Sequence, residues 1–389
     1  MSAPRRWARG RAPAALAAVL LSAAACDGGG AAGTVLAQPT QERIGSGALS
    51  DSAFAALVAR VSEPGGYFDT DNLISNESGY LKVMGALERL GVRGGAYVGV
   101  APDQNFSYVA RVRPDVAFML DIRRDNLLHH LLLKALMEGS PTRVEFLAAL
   151  LGKEPPEDPS AWTARPVAEL AAWVDVASAS EARRRALDAA VAAAVVGFGV
   201  PVDDADLATV RRFHHTFMDA GLDLRFTTFG RPPRPYYPTL RQLVLETDLD
   251  GAPASYLARE EDYAFVRGLQ VDNRIIPVVG DLAGSHAVRE LGRVMEEMGV
   301  RLSAFYTSNV EYYLWGGGTF PAWVENLAVL PAQENAVVIR SYFPNFGGTH
   351  PSAVPGYYAT QTLQPVATVV RGGFATYWDV VTRDVLPLR

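Results

Sequence analysis

The clearest hydrophobic pattern in the chain lies at residues 94–126, GGAYVGVAPDQNFSYVARVRPDVAFMLDIRRDN. An unbroken apolar run over 96–100 ends in a turn containing Pro102. Residues 104–112 then carry apolar positions at helical spacing, and a second apolar run over 116–121 closes on Asp121. Apolar runs without polar alternation belong to strands covered on both faces. The stretch therefore predicts strand, turn, helix and strand, with a further helix over about 126–137. The same grammar returns downstream. It gives a strand over 275–279 followed by Gly280 and Asp281, and a helix over 285–298 with Val288, Leu291, Val294 and Met298 inward. A strand over 302–307, a short helix over 321–330, a strand over 336–342 and an antiparallel edge strand over 362–370 complete the series.

Upstream, DSAFAALVARVSE places Phe54, Leu57, Val58 and Val61 on one helical face, and LKVMGALERLG reads as a second helix. The polar stretch YFDTDNLISNESGY joins them. Residues 141–225 read as all-helical, and 226–262 hold the loop GRPPRPYYPTL and more helix, so 141–262 is predicted to be a helical insertion between strands two and three. Within it AVAAAVVGFGV predicts a buried helix, too short for a membrane span. Strands alternating with helices make the fold class α/β, a doubly wound, mostly parallel sheet with right-handed crossovers. The domain is expected over 48–389. In such sheets the turn after the first strand approaches the ligand, and an acid about 20 residues on holds a ribose. Gly99 and Asp121 stand 22 positions apart.

Composition changes this picture in two ways. The formal charge is −6, with no basic run beyond the N-terminus, so a cationic face for duplex nucleic acid is not expected. The N-terminus itself has the form of an export signal. Arg5, Arg6, Arg9 and Arg11 precede an apolar stretch over 12–25, and small residues lead into Cys26, the single cysteine. Residues 1–26 resemble a bacterial lipoprotein signal, with Cys26 as the lipidated residue and residues 27–47 as a flexible Gly/Ala-rich tether. A plain secretory signal is the alternative. Removing residues 1–25, which hold four arginines and no acids, takes the formal charge to −10. The expected location is the cell envelope, lipid-anchored or secreted, with a membrane contact through Cys26.

Candidate chemistry gathers at the predicted strand ends. Asp69, Asp71, Asn72, Asn76 and Glu77 put five oxygen-bearing side chains into nine residues. They read as a loop over a ligand mouth, as a hard-cation site, or as caps and Asx turns. Asp103, Gln104 and Asn105 open a helix, where free N–H groups favour a polar ligand or are satisfied by a cap. Asp121 with Arg123 and Arg124 reads as a diol-and-anion site or as an internal ion pair locking the turn. Ser308, Asn309 and Glu311 sit at the end of strand four, where open α/β sheets bind ligands. There Glu311 is either a general base or an arginine's partner. His129-His130 and His214-His215 cannot chelate one ion from a single helix face, so packing roles are expected and no metal. His286, at a helix start beside Asp281, reads as a helix cap or as an imidazole for acid/base work, and His350 lies in the Gly/Pro loop NFGGTHPS, with a lid role as its sharper alternative.

Laid end to end, these elements resemble a class I methyltransferase-like Rossmann fold. AYVGVAP is similar to its first motif, FMLDIRRDNL to its second-strand motif, VVGDLAG to the third and FYTSNVEYYL to the fourth. The chain also resembles a family of uncharacterised bacterial proteins, some of them lipoproteins, through DNLISNE, GVAPDQNFSYVA, DIRRDNLLHHLLLKAL, SYLAREEDYAFVRGLQ, PVVGDLAG and FYTSNVEYYL. The methyltransferase resemblance implies S-adenosylmethionine as cofactor. Asp121 would then sit on the ribose hydroxyls and Asp281 on the adenine amine. Gly99, Pro102, Asn105, Gly280, Asp71 and Asn76 would lie around the cofactor, with Asn309 and Glu311 facing the acceptor. In the first motif Pro102, Asp103 and Gln104 stand where further glycine is usual, which places side chains at the turn. Two functions are therefore expected in parallel. One is an S-adenosylmethionine-dependent transferase of unknown acceptor. The other is a non-catalytic envelope lipoprotein using the same scaffold to bind a small polar molecule or a protein partner.

Overall fold

The structure is a computed structural model that describes residues 47–232 and 234–389. The segment expected to be an export signal with Cys26, and the expected tether up to residue 46, lie outside the described residues. Along the chain α1 (Asp51–Val61) and α2 (Met84–Arg89) precede β1 (Ala96–Val100), α3 (Gln104–Val112), β2 (Val116–Asp121) and α4 (Arg124–Glu138). Five helices follow: α5 (Arg143–Leu150), α6 (Val167–Val176), α7 (Glu181–Gly197), α8 (Asp204–Ala220) and α9 (Leu240–Val244). Then come α10 (Glu260–Val271), β3 (Ile275–Val279), α11 (Ala287–Met298), β4 (Leu302–Ser308), α12 (Val310–Gly316) and α13 (Phe320–Ala328). The chain ends with β5 (Ala332–Tyr342), β6 (Thr360–Pro365), α14 (Val366–Arg371) and α15 (Tyr377–Thr382).

The strands form one six-stranded sheet in the order β3-β2-β1-β4-β5-β6. Every neighbouring pair is parallel except β5 and β6, which are antiparallel. This α/β sheet flanked by helices is compatible with a Rossmann-like fold. All residues of β1, β3 and β4 are buried, as unbroken apolar strands require when helices cover both faces. α4 is buried nearly all round because it packs on β2 and β3 while α7 and α8 cover its outer side. α11 shows the opposite case. Its core stripe is Val288, Leu291, Val294 and Met295, and the remaining face is polar. α1 starts where Ser50 accepts from the Ala53 N–H at 3.2 Å.

Three elements differ from expectation. The edge strand does not run to Val370 but stops at Pro365, whose ring fixes φ at −56° and which supplies no N–H to the ladder. The chain turns there into α14. β5 begins at Ala332, earlier than its apolar run, because Ala332 pairs with Leu302 and a break in register then carries the ladder to Val337 opposite Ala304, leaving the polar residues 333–335 outside the pairing. α7 buries only Leu187, Val191 and Val195, and Val196 is 56 % exposed, so the alanine-rich segment is a one-sided helix and not a buried one. Among the described residues no helix is long and apolar enough to cross a membrane.

Candidate functional site

In this strand order the direction of progression reverses between β1 and β4, and the connections leave a crevice beyond the strand carboxyl ends at such a point. A cavity of about 220 Å³ lies there. Val100 and Ala101 follow β1, Asp121 closes β2, Gly280 and Asp281 follow β3, and Ser308 and Asn309 close β4; all of them line it. The loop over 67–76 forms the lid side, contributing Tyr67, Phe68, Thr70, Asn72 and Asn76. Of the residues named from sequence, Asp121, Gly280, Asp281, Asn76 and Asn309 thus meet around one space. Gly99, Pro102, Asn105, Asp71 and Glu311 are not among its lining.

The backbone around the cavity is constrained. Asn72, Ala101 and Ser308 all have positive φ (51°, 73° and 51°), and all three line the cavity. Non-glycine residues in this region cost roughly 1–3 kcal/mol each, and such positions cluster at ligand sites. The turn after β1 is held from beneath. Asn105 Nδ2 donates to the carbonyls of Val100 and Pro102, both at 2.8 Å, and Asn105 Oδ1 accepts from the Tyr97 hydroxyl at 2.7 Å. A Cβ on Gly99 would stand 1.9 Å from Asn105 Oδ1. Gly99 is therefore required by Asn105 and not by a ligand's approach, and Asn105 is a buried staple of the turn. Gly280 is required by packing, since its Cβ would meet that of Ala287 at 2.3 Å. His130 Nε2 lies 3.0 Å from the Ala101 carbonyl. Burial lowers its pKa to about 4, so the ring is neutral near pH 7 and donates through Nε2. His129 stacks on Phe217 at 5.7 Å as a packing residue.

The two acids of the cavity are committed to different degrees. Asp121 Oδ1 accepts from the Arg123 backbone N–H (2.9 Å) and Nε (3.0 Å), and Oδ2 accepts from Nη2 at 2.7 Å. Arg123 also donates to the Thr70 carbonyl, tying the lid loop to the β2 end. With about two acceptor sites per carboxylate oxygen, Asp121 keeps one open site, on Oδ2. Asp281 Oδ1 accepts from the Ala283 N–H at 2.9 Å, while Oδ2 makes no hydrogen bond among the described residues. Glu63 from the segment after α1 occupies the neighbouring turn, accepting from the Asp281 N–H at 2.7 Å and the Ala287 N–H at 3.3 Å. Asn76 and Asn309, both half-buried at the cleft, have side-chain amides with no hydrogen bond among the described residues.

Glu311, expected to face the acceptor, lies elsewhere. It is fully buried and receives both Nε and Nη2 of Arg340, plus the Trp323 indole N–H at 3.0 Å. Its neighbour in that cluster is Gln364, whose Oε1 accepts from Arg340 Nη1 at 2.7 Å. The arginine-pair alternative for Glu311 describes this arrangement. Asp71 pairs at the surface with Arg212 at 2.8 Å. His286 and His350 are bound to the carbonyls of Arg60 and Val381, both at 2.8 Å.

Glu77, in sequence one of the oxygen-bearing residues of the loop, has a role that sequence alone does not single out. Glu77 is completely buried beneath the cavity and accepts from the hydroxyls of Tyr306, Ser308 and Ser341, with Gln361 Nε2 at 3.4 Å. Among the described residues no cation pairs with it. Burial pushes its carboxyl up, and the four donors oppose that shift. Ser308 both lines the cavity and donates to Glu77, so the cavity floor is set by this carboxylate. The available signal was on β4: Tyr306 and Ser308, two apart, put two hydroxyls on one face of a buried strand, and buried hydroxyls need an acceptor. Among the described residues no three His, Cys, Asp or Glu side chains gather as a metal site.

The cavity can hold a compact polar ligand between an open carboxylate oxygen on Asp281, one acceptor site on Asp121 and two free amides. No curated protein matches the chain. One family model does, described as "Domain of unknown function (DUF7790)", over residues 73–192 and 227–371. The matched segments contain the four strand ends, Glu77 and the two free asparagines, while Asp71 lies outside them. Covering well over half of the chain, that match makes this protein a member of the DUF7790 family.

Proposed function

We propose that the protein is a small-molecule group-transfer enzyme that binds an adenosyl-type donor, S-adenosylmethionine, in the cavity beyond β1 to β4. The observation that carries the reading is the convergence of Asp121, Asp281, Asn76 and Asn309 on that one space. A strand order of 3-2-1-4-5 followed by an antiparallel strand supports a methyltransferase-like sheet, with α5 to α9 as an insertion between β2 and β3. The residues fit the donor at two points. Asp281 has an unengaged oxygen suited to the adenine amine, and Asp121 retains one acceptor site for a ribose hydroxyl while Arg123 holds it in place. Ala101 brings only a methyl group to the turn, so a ligand can lie close to the backbone.

S-adenosylmethionine supplies an already activated methyl group, so the chain's own contribution is positioning. Asn309 at the β4 end and Asn76 on the lid loop orient an acceptor through their free amides. Ser308, fixed by Glu77, sets the depth of the floor, and Tyr67 and Phe68 on the lid loop exclude water. A lipid anchor on Cys26 after cleavage of residues 1–25, and residence in the cell envelope, belong to the same reading. The commitment of Asp121 to Arg123 favours a second reading, a binding protein whose ligand is a small polar molecule other than an adenosyl compound.

Calorimetric titration with S-adenosylmethionine and S-adenosylhomocysteine separates the two. The transferase reading expects saturable heat with both, lost in Asp281→Ala. Silence with both ligands leaves the binding-protein reading.

A further inference from the structure

The cleft does not end at the inner cavity. It continues into an outer chamber of about 130 Å³ that shares Asn76, Asn309 and Tyr313 with the inner one. The chemistry reverses across this shared wall. The inner lining carries Asp121 and Asp281 against a single arginine, whereas the outer lining has no carboxylate and two arginines, Arg231 and Arg234. Arg231 is paired with Asp69. Arg234 has no carboxylate partner among the described residues, and Nη1 donates to the Tyr236 hydroxyl at 2.5 Å. The Tyr236 ring in turn stacks on Tyr358 with centroids 3.8 Å apart, which fixes the hydroxyl that holds the guanidinium. Eight of the fourteen lining residues are aromatic, so a ligand would meet ring faces and edges, with the guanidiniums, Thr228, Asn76, Asn309 and Asn345 supplying polar groups among them. A planar guanidinium in such a setting matches a carboxylate in fork geometry, and ring faces and edges favour an aromatic body.

We propose that the outer chamber binds a planar aromatic carboxylate, with Arg234 as the partner of the anion and the aromatic wall covering its ring. In identifying that ligand as the acceptor, the inference rests on the transferase reading; the binding chemistry itself does not. Asn76 and Asn309, reachable from both chambers, stand at the boundary between donor and acceptor.

The test uses the full chain, titrated calorimetrically with 2-naphthoate and with its neutral isostere 2-naphthamide at 0.15 M salt. The expected result is one-to-one binding of naphthoate, about tenfold or more tighter than naphthamide. Arg234→Gln should bring naphthoate down to the level of the amide, and Arg234→Lys should retain part of the preference. Both variants should bind S-adenosylmethionine as the parent does, which also reports that they fold. Equal affinity for the two naphthalenes, or a preference unchanged in Arg234→Gln, overturns the proposal. The naphthoate titration needs no donor present. Missing S-adenosylmethionine heat with intact naphthoate discrimination therefore removes the donor reading alone, and the reverse pattern removes the outer chamber alone.

Discussion

Asp103 precedes α3, immediately after the β1 turn, and its Oδ2 accepts from the Tyr256 hydroxyl at 3.0 Å. Burial pushes its carboxyl up to about 6 from an ordinary 3.8, with the Tyr256 bond acting in the other direction. A carboxyl whose folded pKa is raised contributes stability that is complete below the unfolded pKa and is lost as pH rises through the folded one. Asp103→Asn keeps an acceptor for Tyr256 and has no charge to bury. Urea denaturation should therefore find the variant more stable than the parent at pH 8, by up to about 3 kcal/mol. The gap should close towards pH 4; a gap independent of pH contradicts the assignment. Because Asp103 keeps some solvent exposure, that figure is a ceiling. At this scale the sequence was informative about where polar residues lie and less so about what they touch. Gly99 reads from sequence as a ligand-approach glycine, yet its missing Cβ makes room for Asn105, a partner six residues on in sequence but folded back beneath the turn. Glu77 was legible only as one more loop oxygen, since its donors come from β4, β5 and β6.

The Glu311–Arg340 pair joins α12 to β5 inside the molecule, both side chains being fully buried. Removing one partner of a buried pair strands the other charge, a loss of about 3–5 kcal/mol. Arg340→Met should lower unfolding free energy by that amount in chemical denaturation, and the double variant Arg340→Met with Glu311→Gln should recover much of it. If the single variant unfolds like the parent, the pair is not what fixes α12 on the sheet. Neither change is expected to alter ligand affinity, because the pair is outside the cavity lining. Elements were the most legible level. The bounds of β1, β2 and β3 follow directly from the apolar runs, since those strands are covered on both faces, and the bounds of α3 follow from its helical spacing of apolar positions. The misreadings fall where tertiary surroundings decide. Pro365 divides one apolar run into strand and helix, and the polar start of β5 is a break in register between its pairings at Ala332 and Val337. The alanine-rich second half of α7 is apolar yet one-sided, as its alanines cost little in water.

For the whole molecule, alternation of strands and helices predicts a parallel sheet but leaves unstated which strands are neighbours. That follows from the crossovers, and it is the reversal between β1 and β4 that brings residues about 190 positions apart, Asp121 and Asn309, to one cavity. The N-terminal segment carries a separate expectation. In a bacterial host, the parent chain should fractionate with membranes and accumulate unprocessed under globomycin, while Cys26→Ser should leave the membrane fraction. Identical fractionation of the two would remove the lipid anchor. The central claim concerns the cavity itself and is tested most directly by calorimetric titration of S-adenosylhomocysteine into the parent chain, Asp281→Ala and Asp71→Ala. The account predicts saturable heat in the parent and in Asp71→Ala, whose side chain lies outside the cavity, and none in Asp281→Ala. Heat that survives in Asp281→Ala, or is absent from the parent, contradicts it.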